Sequence, residues 1–441
     1  MKKIVLSLFL FALAANMVAE DHVMAATKRA PEREVPATLN LSLQEAQDYA
    51  IETNRSLRNA DLAVQKAYAS RWQTIASMLP SVDMSWAFQS MMGYKMNFGG
   101  MPIEMPDNGT LGITAAVGIN GQAIVGALLN NVAIDMQRLN LQQSEDNLRA
   151  NIKTSYASVL VLQNVVTLLQ SSLSNIEQMA EMTQRSVDVG AAEQTTADLI
   201  NVRANTLRNN INANLRSTQL ALNALKVLLD VPAETELQLT TTLEDVLSAE
   251  TVLQLLGNEF ILENNLNYQL LEKNVELAEK NVHMAGWAYG PTIGVGYQYS
   301  KKDYFGQKEG FNMTPPNALS VQVSMPLWSS GKRAAGVVEK KIALEEARNT
   351  FAETTNNLGI QNDQLRYNLQ NAYETFTNEQ ENMGVTQRVF DNTTRKFQQG
   401  AASNLDLVNA SNDLITAQSS YVQAVLTLVN AQVELEKFLN L

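Results

Sequence analysis

"GAASNLDLVN" (400–409) has a second version, two residues longer, in "GAAEQTTADLIN" (190–201). Each begins Gly-Ala-Ala, crosses a polar spacer and closes on Asp-Leu, a β-branched residue and Asn. Each also interrupts a long run of helical periodicity, so one structural plan is written twice along the chain. A glycine at such a break is free to adopt the positive φ that ends a helix, which puts Gly190 and Gly400 at two matching breaks.

The helices on either side are long. Periodicity predicts segments at 127–188 and 196–229 in the first copy, and at 333–398 and 404–439 in the second. At about 1.5 Å per residue, a helix of about sixty residues reaches roughly 90 Å, which spans a space instead of filling a core. The last segment carries a regular seam of Leu407, Ala410, Leu414, Ala417, Tyr421, Ala424, Leu428, Ala431, Leu435 and Phe438. These steps of three and four residues are those of a coiled coil, and the alternate alanines let a facing helix approach closely. Tyr156 and Tyr367 fall at matching places in the two first helices, as do Asp198 and Asp406 beyond the breaks.

Upstream of each helical pair the period changes to two. "LPSVDMSWAF" (79–88) and "GPTIGVGYQY" (290–299) both open on proline and then alternate large apolar residues with small or polar ones. Val82, Met84, Trp86 and Phe88 form one apolar row, and Ile293, Val295, Tyr297 and Tyr299 form another. Second strands follow at Leu111 to Ile119 and at Leu319, Val321, Val323, Met325 and Leu327. The intervening stretches 93–110 and 301–318, rich in Gly, Pro and Asn, read as exposed loops. Two β-hairpins with one apolar and one polar face result. Such hairpins cannot stand alone in lipid, because their edges leave backbone groups unpaired, and four strands are too few to close a barrel. Closure then requires copies of the chain, and three copies supply twelve strands. On that reading Trp86, Phe88, Tyr297, Tyr299 and Trp328 face lipid or its interface, while Ser85, Gly294, Gly296 and Gln298 line an aqueous lumen.

The rest of the chain divides accordingly. Residues 1–19 have the order of a secretory signal, with Lys2 and Lys3 before an apolar run, and cleavage after Ala26 is the alternative. An extended leader covers 20–40. The first structural repeat covers 41–229, with a helix, a β-hairpin at about 81–120 and a helical hairpin at about 127–229. Residues 230–262 form an equatorial mixed segment with a short strand at "ETELQL" and a short helix at 243–256. The second repeat covers 263–441, with a helix, a β-hairpin at about 291–328 and a helical hairpin at about 333–439. No later segment is continuously apolar for the roughly 18 residues of a membrane-spanning helix. The predicted fold class is therefore a mixed α and β membrane protein: long α-helical coiled coils, plus transmembrane β-hairpins that make a 12-stranded barrel as a trimer.

Composition excludes several functions. A net charge of -12 over 441 residues argues against nucleic acid, since little would neutralise phosphates. Absent cysteine removes disulfides, thiolate metal sites and cysteine nucleophiles. The two histidines, His22 and His283, are isolated, and no phosphate loop, nucleophile elbow or metal-spaced cluster occurs. The reading expects no enzyme, no cofactor and no metal.

The chain resembles the TolC-like outer-membrane efflux proteins. The resemblance is carried by "LSLQEAQDYAIETNRSLRNADLAVQKA" (41–67), "LPSVDMSW", "VSMPLWSSGKRAAGVVEKKIALEEA" (323–347) and the two Gly-to-Asn motifs, in that order and duplicated. It implies a homotrimer in the outer membrane of a Gram-negative bacterium, with coiled-coil hairpins that form a helical barrel in the periplasm. It further implies a periplasmic adaptor (membrane fusion) protein and an inner-membrane pump of RND, ABC or MFS type as partners, besides outer-membrane lipid. Gly190, Ala191, Ala192, Gly400, Ala401 and Ala402 correspond to the tips where an adaptor docks. Asp198 and Asp406 correspond to acidic positions of the periplasmic gate, with helix-start carboxylates as the alternative reading. Asn201 and Asn409 stand where a second acidic ring can occur, and Phe397 and Ala402 replace a Tyr and an Arg that can latch the closed state. The other class of function left open is a periplasmic coiled-coil scaffold without a pore.

Overall fold

The computed structural model describes residues 36–104, 106–190, 192–305 and 315–440. The predicted signal segment, most of the leader and His22 lie outside them. The chain folds as two compact units, one built from Asp61–Leu139 and Leu270–Ala352, the other from the described residues of Glu32–Ala60, Asn140–Gln269 and Glu353–Leu441.

The first unit holds a four-stranded antiparallel sheet. Its strands are β2 (Ser81–Gln89), β5 (Asn108–Asn120), β7 (Thr292–Tyr304) and β8 (Asn317–Ser324), paired in that order. The central ladder joins the two repeats: β5 pairs with β7 without a break from Asn108↔Tyr304 to Asn120↔Thr292. Both predicted hairpins are therefore present, with three differences. The stretch read as a loop at 93–110 contains a small hairpin of β3 (Lys95–Phe98) and β4 (Met101–Glu104), turned by Gly99 and Gly100 at φ 58° and 86°. A Gly-Gly pair with both φ positive is the two-residue turn that matches strand twist, so this hairpin was signalled in the sequence. β7 runs on to Tyr304, and residues 306–314 of the second predicted loop lie outside the described residues. β8 ends at Ser324, two residues before Pro326, which has no N–H to give a ladder; Met325, Leu327 and Trp328 thus follow the strand.

The four long helices start and stop almost where the period indicated: α3 (Gly121–Asp188), α4 (Gln194–Leu229), α8 (Lys332–Gln398) and α9 (Asn404–Leu439). One stretch of α3 does have the length and apolar composition to cross a membrane, which corrects the expectation that no such segment follows the leader. The earlier reading required an unbroken apolar run, whereas this stretch is interrupted by uncharged polar residues. Val161 and Leu169 of α3 are taken up by cores of the second unit.

The larger of those cores packs α3, α4, α8 and α9 against α1 (Leu43–Thr53) and the equatorial segment. The equatorial segment is a parallel pair of β1 (Thr38–Leu41) and β6 (Glu236–Leu239), followed by α5 (Leu243–Val246) and α6 (Ala249–Gly257). The leader's last residues thus form a strand. The one predicted helix at 243–256 is two, because Thr242 and Ser248 each begin a new cap. A smaller core nearer the tips joins Ile176, Met179, Ile200, Leu207, Phe390, Leu407 and Leu414. Along the α9 seam Ala417, Tyr421 and Ala431 are only half-buried, while Gln418 and Gln432, off the seam, are buried. The buried stripe is wider than a two-helix seam because α9 packs against more than one neighbour.

Tyr156 and Tyr367 do not share a role. Tyr156 is fully buried, its hydroxyl donating to Leu41 O at 2.9 Å and accepting from Thr241 N at 3.1 Å. Tyr367 is exposed. Counted back from the tip glycines, the partner of Tyr156 is Arg366, which donates through Nη1 to Leu256 O at 2.7 Å and through Nη2 to Asn258 O. Each repeat therefore uses one polar side chain to hold the equatorial backbone. Tyr156→Phe is expected to leave the Thr241 N–H without its partner, while the Leu41 carbonyl keeps Thr240 N at 3.1 Å, and to destabilise the fold by about 1 kcal/mol, read by chemical denaturation.

Candidate functional site

Antiparallel pairing sets the two faces of the sheet. Val82, Met84 and Trp86 pair with Ala115, Ile113 and Leu111. Ile113, Ala115 and Val117 pair with Tyr299, Tyr297 and Val295, and the last two of these pair with Leu319 and Val321. Paired residues point to one side, so the apolar row of each strand joins the next into a single face. Its members lie open: Met84 is 76% exposed, Trp86 65% and Leu319 73%. Tyr297 and Tyr299 are half-buried within it, and the Phe88 ring lies 5.7 Å from that of Phe305, tilted by 52°, at its rim. The opposite face carries Ser85, Thr114, Gly294, Gly296, Gln298 and Ser320. Trp328 is 86% exposed in the link between β8 and α8, which removes it from the strand face but keeps it as an exposed aromatic beside the strand ends. Among the described residues β2 and β8 each leave one edge unpaired.

The two helical tips share a C-terminal lock. Gly190 and Gly400 take φ 73° and 69°. Gly400 N donates to Phe397 O at 3.0 Å and Ala401 N to Lys396 O at 2.8 Å, the paired bonds that close a helix on a left-handed glycine. In the first copy Gly190 N donates to Val187 O at 2.9 Å and Ala192 N to Ser186 O at 3.2 Å. Ala192 and Ala402 are half-buried and Ala401 is exposed; Ala191 lies outside the described residues. Phe397, at the latch position, packs on the smaller core.

The tips part company where the next helix begins. Ser403 caps α9: its hydroxyl accepts from Asp406 N at 3.1 Å, and Asp406 Oδ2 accepts from Ser403 Oγ at 2.7 Å and Ser403 N at 2.9 Å. The Ser403 hydroxyl, and then its N–H, hold the Asp406 carboxyl below the usual carboxylate range. Ser403 was not singled out in the sequence, although "SNLD" has the spacing of a capping box. In the first copy Glu193 occupies the cap without a side-chain bond, and Asp198 instead accepts from Gln194 Nε2 at 2.9 Å.

Asp198 and Asp406 are therefore not equivalents. α4 and α9 start at the same spacing from their glycines, so the two extra residues of the first motif lie inside α4. Two residues turn a helix by about 200°. Leu199 and Leu407 occupy the same place in the two motifs, yet Leu199 is 53% exposed and Leu407 2%. Asp198, Asn201, Asp406 and Asn409 are all exposed, but the two carboxylates leave their helices in different directions from the core. Among the described residues no group of His, Asp or Glu is arranged to hold a metal, and His283 is an exposed residue in the last turn of α7 (Leu266–Gly286).

A duplicated β-hairpin and helical-hairpin plan of this kind makes the chain similar to outer-membrane efflux proteins. The family model of outer membrane efflux proteins matches residues 259–441, the whole second repeat and a few residues before it. The outer membrane efflux protein BepC of Brucella suis biovar 1 (strain 1330) is 25% identical over 309 residues, 67% of this chain and 64% of BepC. The aligned part thus spans somewhat less than two thirds of that relative. Among solved structures, the outer membrane protein VceC of Vibrio cholerae superposes with a TM-score of 0.73 at 15% identity, over 90% of this chain and 95% of VceC. The CmeC outer membrane channel of Campylobacter jejuni gives 0.69 at 14% identity, over 94% of this chain and 90% of CmeC. These two likenesses establish the fold. The resemblance to TolC-like outer-membrane efflux proteins read from the repeat motifs is thereby shown.

Proposed function

We propose that this chain is the exit duct of a tripartite efflux or type I secretion system. Three copies close their sheets into a twelve-stranded barrel, joining β2 of one to β8 of the next, and continue it as a helical tunnel. The observation that carries this reading is the sheet itself, with a polar face, two edges unpaired among the described residues, and an apolar face that gives way to Asn317, Lys301 and Asp303 only toward the loop end. In lipid such a sheet is stable only when closed, and closure puts the polar face around water.

The duct conducts passively, since the work of export belongs to an inner-membrane pump of RND, ABC or MFS type coupled through a periplasmic adaptor. Small toxic compounds or drugs are the cargo this architecture suits. The hairpin tips at Gly190 to Ala192 and Gly400 to Ala402 offer the adaptor small, shallow surfaces for helix packing. Opening is iris-like: the tips shift sideways, and the constriction near Asp198 and Asp406 widens.

Purified protein in planar lipid bilayers is expected to give discrete current steps, and to remain in outer membranes through carbonate and high-salt washes. Release by those washes, with no conductance, would establish the scaffold reading in its place.

A further inference from the structure

The duplicated plan brings three strand ends and the starts of both long helices to one place in the first unit. Asn120, Thr292 and Ser324 are direct cross-strand neighbours, so they form one row on the polar face. At this row opens a cavity of about 660 Å³, walled by Trp287 and Met284 on one side and by the first turns of α8 on another. The Trp287 ring lies where a side chain on Gly121 would stand, 2.1 Å from that Cβ position, so the bare start of α3 makes room for the aromatic wall.

The α8 side of the cavity is a stripe of Lys332, Gly336 and Lys340, spaced four residues apart on one helix face. Nothing lies within 4 Å of a Cβ placed on Gly336, so open space separates the two lysines. This charge is locally opposed: the first turn of α8 carries Lys332 and Arg333 and no acid, against the helix dipole, in a chain of net charge -12. A placement that breaks a local rule without a compensating contact points to function. Arg333 does have its contacts, donating to Ser329 Oγ at 2.9 Å and to Pro326 O and lying 5.1 Å from the Tyr289 ring centre. Glu339 also lines the cavity and pairs with Lys340 at 2.9 Å, which leaves Lys332 and the Arg333 guanidinium as its excess positive charge. Lys332 pairs with no carboxylate among the described residues.

We infer that this cavity binds amphiphilic organic anions, a carboxylate or sulfonate lying between Lys332 and Lys340 and its apolar body against Trp287 and Met284. The inference rests on the duct reading, which makes the polar face a lumen wall and so sets the cavity on the path of exported material. The cavity then serves as a station that favours anionic cargo in an otherwise acidic passage.

The probe is naphthalene-2-sulfonate, with 2-naphthalenemethanol as its uncharged counterpart. Each is titrated by calorimetry into full-length protein in nanodiscs of zwitterionic lipid, with empty nanodiscs subtracted. Lys332→Gln combined with Lys340→Gln removes the charge without touching the Arg333 contacts, and relieves the helix start. The sulfonate is expected to bind the wild type about tenfold more tightly than the alcohol. The double variant is expected to lose roughly that factor for the sulfonate alone, as is the wild type in high salt. Equal affinities for the two probes, or a sulfonate affinity unchanged in the double variant, overturns the site. Binding needs no open pore, so the two readings fail separately. Protein that conducts but does not discriminate the probes loses the anion site, whereas protein that discriminates them but carries no current loses the duct.

Discussion

Val321→Lys is expected to strip the protein from washed outer membranes, while Gln322→Lys, one residue along, leaves it there. Val321 lies at the middle of β8, 66% exposed and paired with Val295, on the apolar face. A lysine facing lipid near the bilayer midplane costs about 2–4 kcal/mol, and an assembly of three chains meets that cost three times. Gln322 pairs with Gly294 on the other face, where a lysine would meet water. The comparison uses one strand, one kind of charge and adjacent positions, so expression level or strand propensity cannot account for a difference. Equal recovery of both variants in the outer-membrane fraction would remove the lipid-facing assignment of the whole apolar row.

The second large effect concerns the tips. Asp406→Asn is expected to lower cation selectivity severalfold in bilayer recordings, because in the proposed trimer three carboxylates at the constriction would form a ring of negative potential. Asp406→Ala should do the same and also fray the start of α9, since it removes the acceptor for Ser403 N and Ser403 Oγ. Hydrogen exchange at amides 403–408 separates the two results. Selectivity unchanged in both variants would leave Asp406 a helix cap and nothing more. Asp198→Asn is expected to differ in size from Asp406→Asn, because the two carboxylates leave their helices on different sides; identical effects would show that the two-residue offset is absorbed elsewhere. The pH dependence has a definite sign. Hydrogen bonds from Ser403 depress the carboxyl's folded pKa, so the cap's contribution is complete above the unfolded value and is lost as pH falls through the folded one. Selectivity and tip order should therefore stay level from neutral pH down to the ordinary carboxylate range and decline only below it.

Much of this was legible in the chain because the signals were local. Gly190 and Gly400 mark helix ends by backbone freedom, and α3 and α8 stop where those glycines indicated. The two faces of the sheet followed from period two alone. What escaped depended on long-range or rotational facts. The Tyr156 and Tyr367 match was a match of letters; which of them meets the equatorial backbone depends on helix phase, and Arg366 took the second role. The pairing of Asp198 with Asp406 failed for the same reason, because an alignment with a gap keeps the motif in step while the helix keeps turning. Ser403 and Lys332 were local enough to find, as the hydroxyl of an S-x-x-D box and a cation at a helix start. Their meaning, however, lay in contacts made, or left unmade, in the folded chain.

The two bare rims of the sheet also govern the protein before it reaches its destination. A newly exported chain crosses an aqueous compartment with a greasy surface and two open hydrogen-bonding margins, β2 and β8, ready to capture any extended peptide they meet. In the proposed trimer the quickest safe escape is mutual capture by siblings at the lipid boundary. Production rate, escort by chaperones and membrane arrival must then be matched for this chain, and its resilience is a property of local subunit supply as much as of any single folded copy.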